Sequence, residues 1–445
     1  MKPHMHLCFD VSWAHMEGRW RMPGSWTGRN FPDLAVYEEI ARIAERGLID
    51  MLFCGDGSGI PATWKGSYEE SVRWGIGWPR QDMSPWIAAL SRCTTHLGFG
   101  LTYASTFMHP YYTARLLNSL DHVTGGRIAF NVITSTRRAD AANYGFDELM
   151  EHNSRYERLE EFIAVCRALW DSVEPDAMLW DRETGHVADP SKVHAVNHDG
   201  RFFKVRGPIN TAPSPQHHPI IIQAGGSPRG LKASAKVADH VFAANKPLPE
   251  KIRHRKLLDD ALVEAGRDPS QVGMIWDVIL VVGETEAEAK AHRDMMLTQI
   301  PPEASAVWVS YQAGYDFSTL PARFTLHELN QQVAATQASP VGFVHELAHV
   351  VGEHTEITRE EFLEHCVLEA TGFRNTIAGS AAQVADWMEE TFEETGNRGG
   401  FMIAHPPASP RDFLNVVDFL VPELQRRGRF RRAYAGRTLR ENMAM

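Results

Sequence analysis

The sequence lacks any close pairing of cysteines. Its five, Cys8, Cys54, Cys93, Cys166 and Cys366, are odd in number, far apart and set in apolar stretches such as MLFC and FIAVC. They read as buried thiols of a reducing compartment, not as a disulfide frame or a C-x-x-C site. Positive charge is also in short supply. Lys and Arg total 45 against 56 Asp and Glu, a formal charge of -11, which removes nucleic acid as a default partner. The one basic run, Arg426 to Arg432 (RRGRFRR), is of a kind that is usually a solvated face or an oligomer salt-bridge strip. No stretch approaches the roughly eighteen apolar residues of a membrane span, and MKPHMHLCFDVSW has no charged region followed by a long apolar run. A cytoplasmic protein, with no membrane partner, is therefore expected. A dinucleotide fingerprint is missing as well: GSGIPA at Gly57–Ala62 carries a proline and precedes polar WKGSYEE instead of an apolar helix.

What is present is a repeated order of short apolar run, then amphipathic stretch. HLCFDV, MLFCGD, HLGFGLTYA, RIAFNVIT, PIIIQAGG, HVFAA, MIWDVILVVG and FMIA are strand candidates. Helical patterns follow most of them: LAVYEEIARIAER, stopping at Gly47 where a left-handed cap costs little; a helix from about Ser84 as N-cap with Pro85 behind it; YYTARLLNSLDHV; and SRYERLEEFIAVCRALWDSV. Later helices are expected at Pro228–Val237, near Pro249–Ala265, over EAEAKAHRDMML and over SAAQVADWMEETFEE. Eight strands alternating with helices predict a (β/α)8 barrel, with a doubly wound open sheet as the rival. We read residues 1–445 as one barrel domain with an elaborated loop at about 174–218, a lid-like insertion at about 299–376 and a C-terminal extension from about 422.

In a barrel the chemistry sits where the strands end. Those positions are Asp10, Asp56, Thr102 to Thr106, Asn131 to Thr136 and Gln223 to Ser227, small and polar with Asp10 and Asp56 as the only charges. Such a lining suits a neutral organic ring better than a sugar-cleaving carboxylate pair. Loop residues Trp13, His15, Trp20, Trp64, Trp74, Trp78, His109, His152 and Tyr156 would supply the walls. Few charges lean toward an apolar substrate, although Arg21, Arg137 and Arg138 could grip a carboxylate. In IIIQAGGSPRG an apolar strand runs through Ala224, Gly225, Gly226 and Ser227 into a helix. Glycines that let N–H groups approach an anion, a helix N-terminus and a hydroxyl make this a mononucleotide-sized phosphate site.

These residues resemble a family: the flavin-dependent monooxygenases typified by nitrilotriacetate monooxygenase component A and dibenzothiophene sulfone monooxygenase, within the bacterial luciferase-like superfamily. The matching stretches include FCGDG, LTYASTFMHPYYTARLLNSLDHVTGGRIAFNVITS, HNSRYERLEEFIAVCRALWDS, SPQHHPIIIQAGGSPRG and VPELQRRGRFRRAYAGRTLRENM, in the family's order and outside residues 300–376. The resemblance implies a luciferase-like TIM barrel using reduced FMN, supplied by a separate NAD(P)H-dependent flavin reductase, and O₂ to oxygenate a small organic substrate through a flavin hydroperoxide. S-oxidation, cleavage beside a heteroatom and Baeyer–Villiger insertion all remain open, and a homodimer or homotetramer is implied. By matched motif, Gly225, Gly226 and Ser227, beside Ala224, would hold the phosphate with Tyr156, near His152. Asp56, Thr102 and Ser105 would meet the ring and Asn131 and Thr134 its polar edge. His15 would be the catalytic side chain, and no metal is assigned. The chain departs from the family at His217, commonly glycine there, and at Gly226, commonly larger or polar. A deazaflavin-dependent dehydrogenase of the same fold and a non-catalytic flavin-binding protein are alternatives.

One motif stands outside that reading. In HELAHVVGEH, His345 and His349 sit at i and i+4 with Glu346 between them, the spacing that places two zinc ligands on one helix face beside a general base. The extended zincin form needs a histidine three residues past the glycine, and His354 is only two beyond Gly352. A metalloprotease is the remote alternative; a lid helix with exposed or pocket-facing histidines is expected.

Overall fold

The computed structural model describes residues 2–12, 20–25, 33–135, 137–335, 342–370, 372, 375–404 and 409–444. Eight strands form a closed barrel: β1 (His6–Asp10), β2 (Met51–Cys54), β3 (Gly98–Ala104), β4 (Ile128–Ile133), β5 (Ile220–Ala224), β6 (His240–Ala243), β7 (Gly273–Val278) and β8 (Gly399–Ala404). Every neighbouring pair is parallel, and β1 closes on β8 with Asp10 beside Ala404. The open-sheet rival fails on that closure. All eight apolar runs are strands, because each is bounded by polar or glycine-bearing turns and followed by a helix that covers it.

The covering helices include α1 (Leu34–Arg46), α2 (Met83–Leu90), α3 (Pro110–Thr124), α4 (His152–Asp171), α5 (Pro228–Val237) and α6 (Leu248–Glu264). Two local expectations are corrected. Gly47 ends α1 at φ -81°, and the left-handed residue is Leu48 at φ 57°. Glycine stands at 47 for space: a Cβ there would collide with the side chain of Val417. At α2 the N-cap is Asp82, not Ser84, because the Asp82 carboxylate accepts the Ser84 N–H at 2.8 Å and starts the helix earlier.

MIWDVILVVG is two strands, not one. β7 stops at Val278, and Leu280–Gly283 leaves the barrel to pair in parallel with Ile377–Ser380. Between those two segments the chain builds α7 (Pro302–Ala313), α8 (Leu326–Ala335), α9 (Gly342–Val351) and α10 (Arg359–Ala370) around a separate apolar core that includes Phe317, Phe324, Leu347 and Phe362. Trp64 and Ile76, from the loop after β2, are buried in the same core and Trp74 packs against it. These tryptophans therefore dock the insertion on the barrel, and the expectation that they wall a pocket is corrected.

The carboxyl-terminal segment returns to the other end. Leu439 and Met443 join Cys8, Met51, Ala129, Ile220, Ile222, Ile275 and Met402 in the barrel interior, sealing its amino-terminal end. The basic run is solvated only in part: Arg426 and Arg432 are exposed, and the rest of its arginines are held in ion pairs. Arg431 is buried and paired with fully buried Asp50, Arg429 is buried against Glu389 and Glu393, and Arg427 binds Glu423, Asp386 and Glu389. No helix among the described residues is long and apolar enough to cross a membrane.

Candidate active site

Strand periodicity decides which side chains can reach the open end. Residues two apart share a face, so Cys8, Ala129, Ile222 and Ile275 in the interior imply that Asp10, Asn131, Ala224 and Asp277, one step further along, are interior too. An apolar middle layer thus gives way to polar groups at the carboxyl ends. Thr102 and Asn131 are register partners, and the Asn131 amide donates to Thr102 Oγ1 at 2.9 Å. That leaves Asn131 Oδ1 buried with no partner.

Charge gathers there to a degree that strand ends alone did not suggest. Burial raises the pKa of Asp10 and Asp56, against the Ser12 hydrogen bond on the first and Arg80 on the second. Burial, with the nearby Asp10 charge, pushes Asp277 up to about 8, so it holds its proton at neutral pH. Arg80 is pulled below its ordinary value by burial and by Arg137. Both guanidinium groups close around Gly57, where a Cβ would collide with Arg137 Nη1 and stand 3.3 Å from Arg80 Nη1. Asp140 fixes the surrounding loops, accepting the Gly59 N–H at 2.7 Å and the Ser135 hydroxyl at 3.1 Å. From the insertion, α7 brings Tyr311, whose ring lies 5.2 Å from the Arg137 guanidinium carbon and whose hydroxyl is pushed up to about 12 by burial. The insertion therefore roofs the barrel mouth.

The second half of the site is the turn from β5 into α5. Ser227 is the N-cap, its Oγ accepting the Gly230 N–H at 3.0 Å, with Pro228 in the first turn. A Cβ on Gly230 would lie 3.0 Å from the Tyr156 hydroxyl, 3.1 Å from Gly225 Cα and 3.2 Å from Ser227 Oγ, so these three groups converge on one point. The Tyr156 ring is held by His152, edge-on at 5.2 Å, and by Arg229, 5.3 Å away and paired with Glu160 at 2.6 Å. Beside Gly226 there is open room: its nearest neighbour is His254 Cε1, 3.9 Å from a Cβ placed there. His254 is buried, its Nε2 has no partner, and burial lowers its pKa.

The expected residues thus fall into two sets. His152, Tyr156, Ala224, Gly225, Gly226 and Ser227 gather at the β5 turn, and Asp56, Thr102 and Asn131 gather at the mouth, where Asp56 and Thr102 line one cleft with Tyr103, Phe107 and Tyr144. Ser105 and Thr134 are buried, but the Ser105 hydroxyl is directed to the Ile133 carbonyl at 3.2 Å and the Thr134 carbonyl accepts from Thr106. His15 and Trp13 lie outside the described residues. Of the three candidate arginines, Arg137 reaches the mouth, Arg138 is exposed, and Arg21 donates to the Gln299 carbonyl at 3.2 Å. Asp10 and Asp56 are not the only ionisable groups there: Arg80, Asp277 and Asp140, with Tyr311 and His254, were missed. Only Asp277 carried a signal, a lone carboxylate in an apolar run. His345 and His349 are exposed on α9, part of the insertion's separate core and not the barrel mouth.

Residues 11–399 match the model of the luciferase-like monooxygenases. Over 99% of this chain and 96% of the relative, it is 36% identical to nitrilotriacetate monooxygenase component A of Aminobacter aminovorans. It is 33% identical to dibenzothiophene-sulfone monooxygenase of Rhodococcus erythropolis, over 97% of this chain and 94% of the relative. Among solved structures, riboflavin lyase RcaE with modified FMN and riboflavin superposes with a TM-score of 0.85 at 28% identity, covering 100% of this chain and 96% of that one. The chain belongs to the luciferase-like monooxygenase family. It is a flavin-dependent enzyme that incorporates oxygen from O₂ into a small molecule.

Proposed function

We propose that the flavin is reduced FMN, delivered by a separate NAD(P)H-dependent flavin reductase, and that the enzyme is a cytoplasmic homodimer or homotetramer. The observation that carries the FMN reading is the convergence of Tyr156, Gly225 and Ser227 at the N-terminus of α5, with open room beside Gly226. A phosphate monoester fits there: a helix N-terminus favours the anion, glycine lets it approach the backbone, and two hydroxyls can donate to it. His254, buried with an unpartnered Nε2, is a further donor for it. At the mouth, Asn131 Oδ1 is a buried acceptor suited to the imide N–H of a flavin ring, with Thr102 holding the amide in place. The family name of the first relative, a component A, supports supply of the flavin by a second protein.

Reduced FMN, when bound, supplies the two electrons with which one oxygen atom of O₂ enters the substrate and the other leaves as water. The chain's own residues do the rest. Tyr311 on Arg137 roofs the mouth and excludes water, which strengthens every polar interaction beneath it. Asp277 keeps a proton at neutral pH and so offers an O–H donor at the mouth. Arg80 and Arg137 give the pocket two guanidinium groups, so the substrate we propose carries a carboxylate or a similar oxygen acceptor beside the atom oxygenated. His15 is assigned to polarise that substrate.

The test is Ser227→Glu. It should abolish reduced-FMN binding by repelling the phosphate, with an unchanged far-ultraviolet circular dichroism spectrum. Unchanged affinity in the folded variant would overturn the phosphate assignment. A deazaflavin-dependent dehydrogenase is less supported, since the relatives matched along the whole chain are monooxygenases.

A further inference from the structure

The insertion gathers three side chains that the oxygenation chemistry does not use. His327 stands in the first turn of α8, and Glu353 and His354 follow one another in the turn between α9 and the strand Glu356–Thr358. One donor atom from each lies within 4.8 Å of the other two. The backbone fixes this juxtaposition. The His327 N–H donates to the Glu353 carbonyl at 2.9 Å, and the strand Glu356–Thr358 pairs antiparallel with Arg323–Thr325, directly before α8.

Both ring nitrogens of His327 are oriented. Nδ1 is 2.8 Å from Glu353 Oε1, and Nε2 is 2.9 Å from the Gln331 amide, one turn along α8. A ligating histidine is held in this way, with one nitrogen toward the ion and the other on a neighbour. The Gln331 amide, turned end for end, offers its oxygen to the Nε2–H that metal binding at Nδ1 requires. The hydrogen bond with His327 draws the Glu353 carboxyl below its ordinary value, so an ionised oxygen faces Nδ1 at neutral pH. The His354 ring lies 4.8 Å from that of His327 and tilted 42° to it, so the two ring planes cross. Arg323, the cation on the adjoining strand, is taken up by Glu356 at 2.7 Å. The spread of the donor atoms is wider than the roughly 3.3 Å edge of a tetrahedral zinc shell, and a turn of the exposed Glu353 and His354 side chains closes it.

We propose that His327, Glu353 and His354 bind one divalent transition-metal ion of the zinc class, with water in the remaining position. Two imidazole nitrogens and one carboxylate are a donor set that suits such an ion. Three protein ligands hold it less tightly than a closed four-ligand site, so it exchanges with solution. The ion ties the start of α8 to the turn after α9. Both helices belong to the small core that also holds α7, which carries Tyr311, so the metal steadies the roof of the active site without touching it.

Two other histidine pairs are set apart by their geometry. His345 and His349, exposed on α9, bring their Nε2 atoms to 3.1 Å of each other, but no third donor among the described residues completes a shell with them. His217 and His218 both reach Asp171 Oδ1, at 2.8 and 2.7 Å, with their rings stacked at 16°. Rings so nearly parallel cannot both aim a lone pair at one ion, and Arg167 and Arg440 line the same cavity, where two guanidinium groups oppose a cation.

The experiment uses the full chain without a histidine tag, stripped with chelator and titrated with zinc by calorimetry, with bound metal counted by mass spectrometry. One equivalent is expected at micromolar free zinc. His327→Ala, Glu353→Gln and His354→Ala should each weaken it by at least about 100-fold, and Gln331→Ala by roughly 10-fold, since loss of an outer partner alone costs about 10–100-fold. Circular dichroism checks that each variant is folded. His345→Ala with His349→Ala, and separately His217→Ala with His218→Ala, should leave the equivalent bound. Zinc should slow amide hydrogen exchange over residues 326–335 and 352–358 of the wild type and not of His354→Ala. Absence of the equivalent, full binding after loss of His327 or His354, or loss of binding in either control pair would overturn the site; unchanged exchange in zinc-bound wild type would overturn its fastening role.

Discussion

Asp277→Asn isolates the most perturbed carboxyl of the barrel mouth. Folded, Asp277 titrates near 8; in the unfolded chain a carboxyl titrates near about 4. Between those values the unfolded chain has released the proton and the folded chain keeps it. The folded state therefore binds more protons, and stability falls as pH rises, by up to about 1.4 kcal/mol per pH unit from this group. The ceiling near pH 8 is roughly 5 kcal/mol, and relaxation with access of water to the mouth reduces it to an expected 2–4 kcal/mol. Asparagine removes the titration and keeps the shape. Urea unfolding of both proteins from pH 5 to 8 should show the variant gaining on the wild type as pH rises, from an offset of about 1 kcal/mol or less at pH 5. Asp10 and Asp56 remain in both, so their contribution largely cancels. A stability difference that stays flat over this range would refute the neutral Asp277.

At the opposite end of the barrel, Arg431→Met leaves Asp50 buried without its guanidinium and should cost about 3–5 kcal/mol, read as a fall in urea midpoint. Although burial alone would raise it, Asp50 is held below the usual carboxylate range by Arg431 and His6. Its contribution is present above pH about 4 and is lost as pH falls through its lowered folded value, so acid unfolding should come at higher pH in Arg431→Met. Gly57→Ala puts a methyl group against the flexible end of Arg137; the melting temperature should hardly move, reduced-FMN affinity should persist, and kcat/KM for an anionic substrate should fall. Tyr156→Phe removes one hydroxyl from the Gly230 convergence and should weaken reduced FMN by roughly 10-fold or more, measured by anaerobic fluorescence titration.

Local pattern carried the frame. Each barrel strand is a short apolar run with its own turn, and α1 and α5 match their expected limits, because amphipathic periodicity and an N-cap act within a few residues. The β5 turn was legible for the same reason: Ser227, Pro228 and the paired glycines are neighbours in sequence. What pattern missed depends on contacts between distant segments. Gly47 answers to Val417, and Arg431 answers to Asp50. Arg80, in a loop, and Tyr311, in the insertion, reach the mouth only once the insertion docks on Trp64 and Ile76. His254 looks like any helix residue until the turn at Gly226 is placed beside it.

The most direct measurement gives the purified protein photoreduced FMN under anaerobic conditions and then O₂, with wild type and Ser227→Glu side by side. The account predicts that the wild type binds one reduced FMN per chain and then consumes O₂, and that Ser227→Glu, folded, does neither. A wild-type protein that ignores reduced FMN, or a Ser227→Glu variant that binds it as well as the wild type, would contradict it.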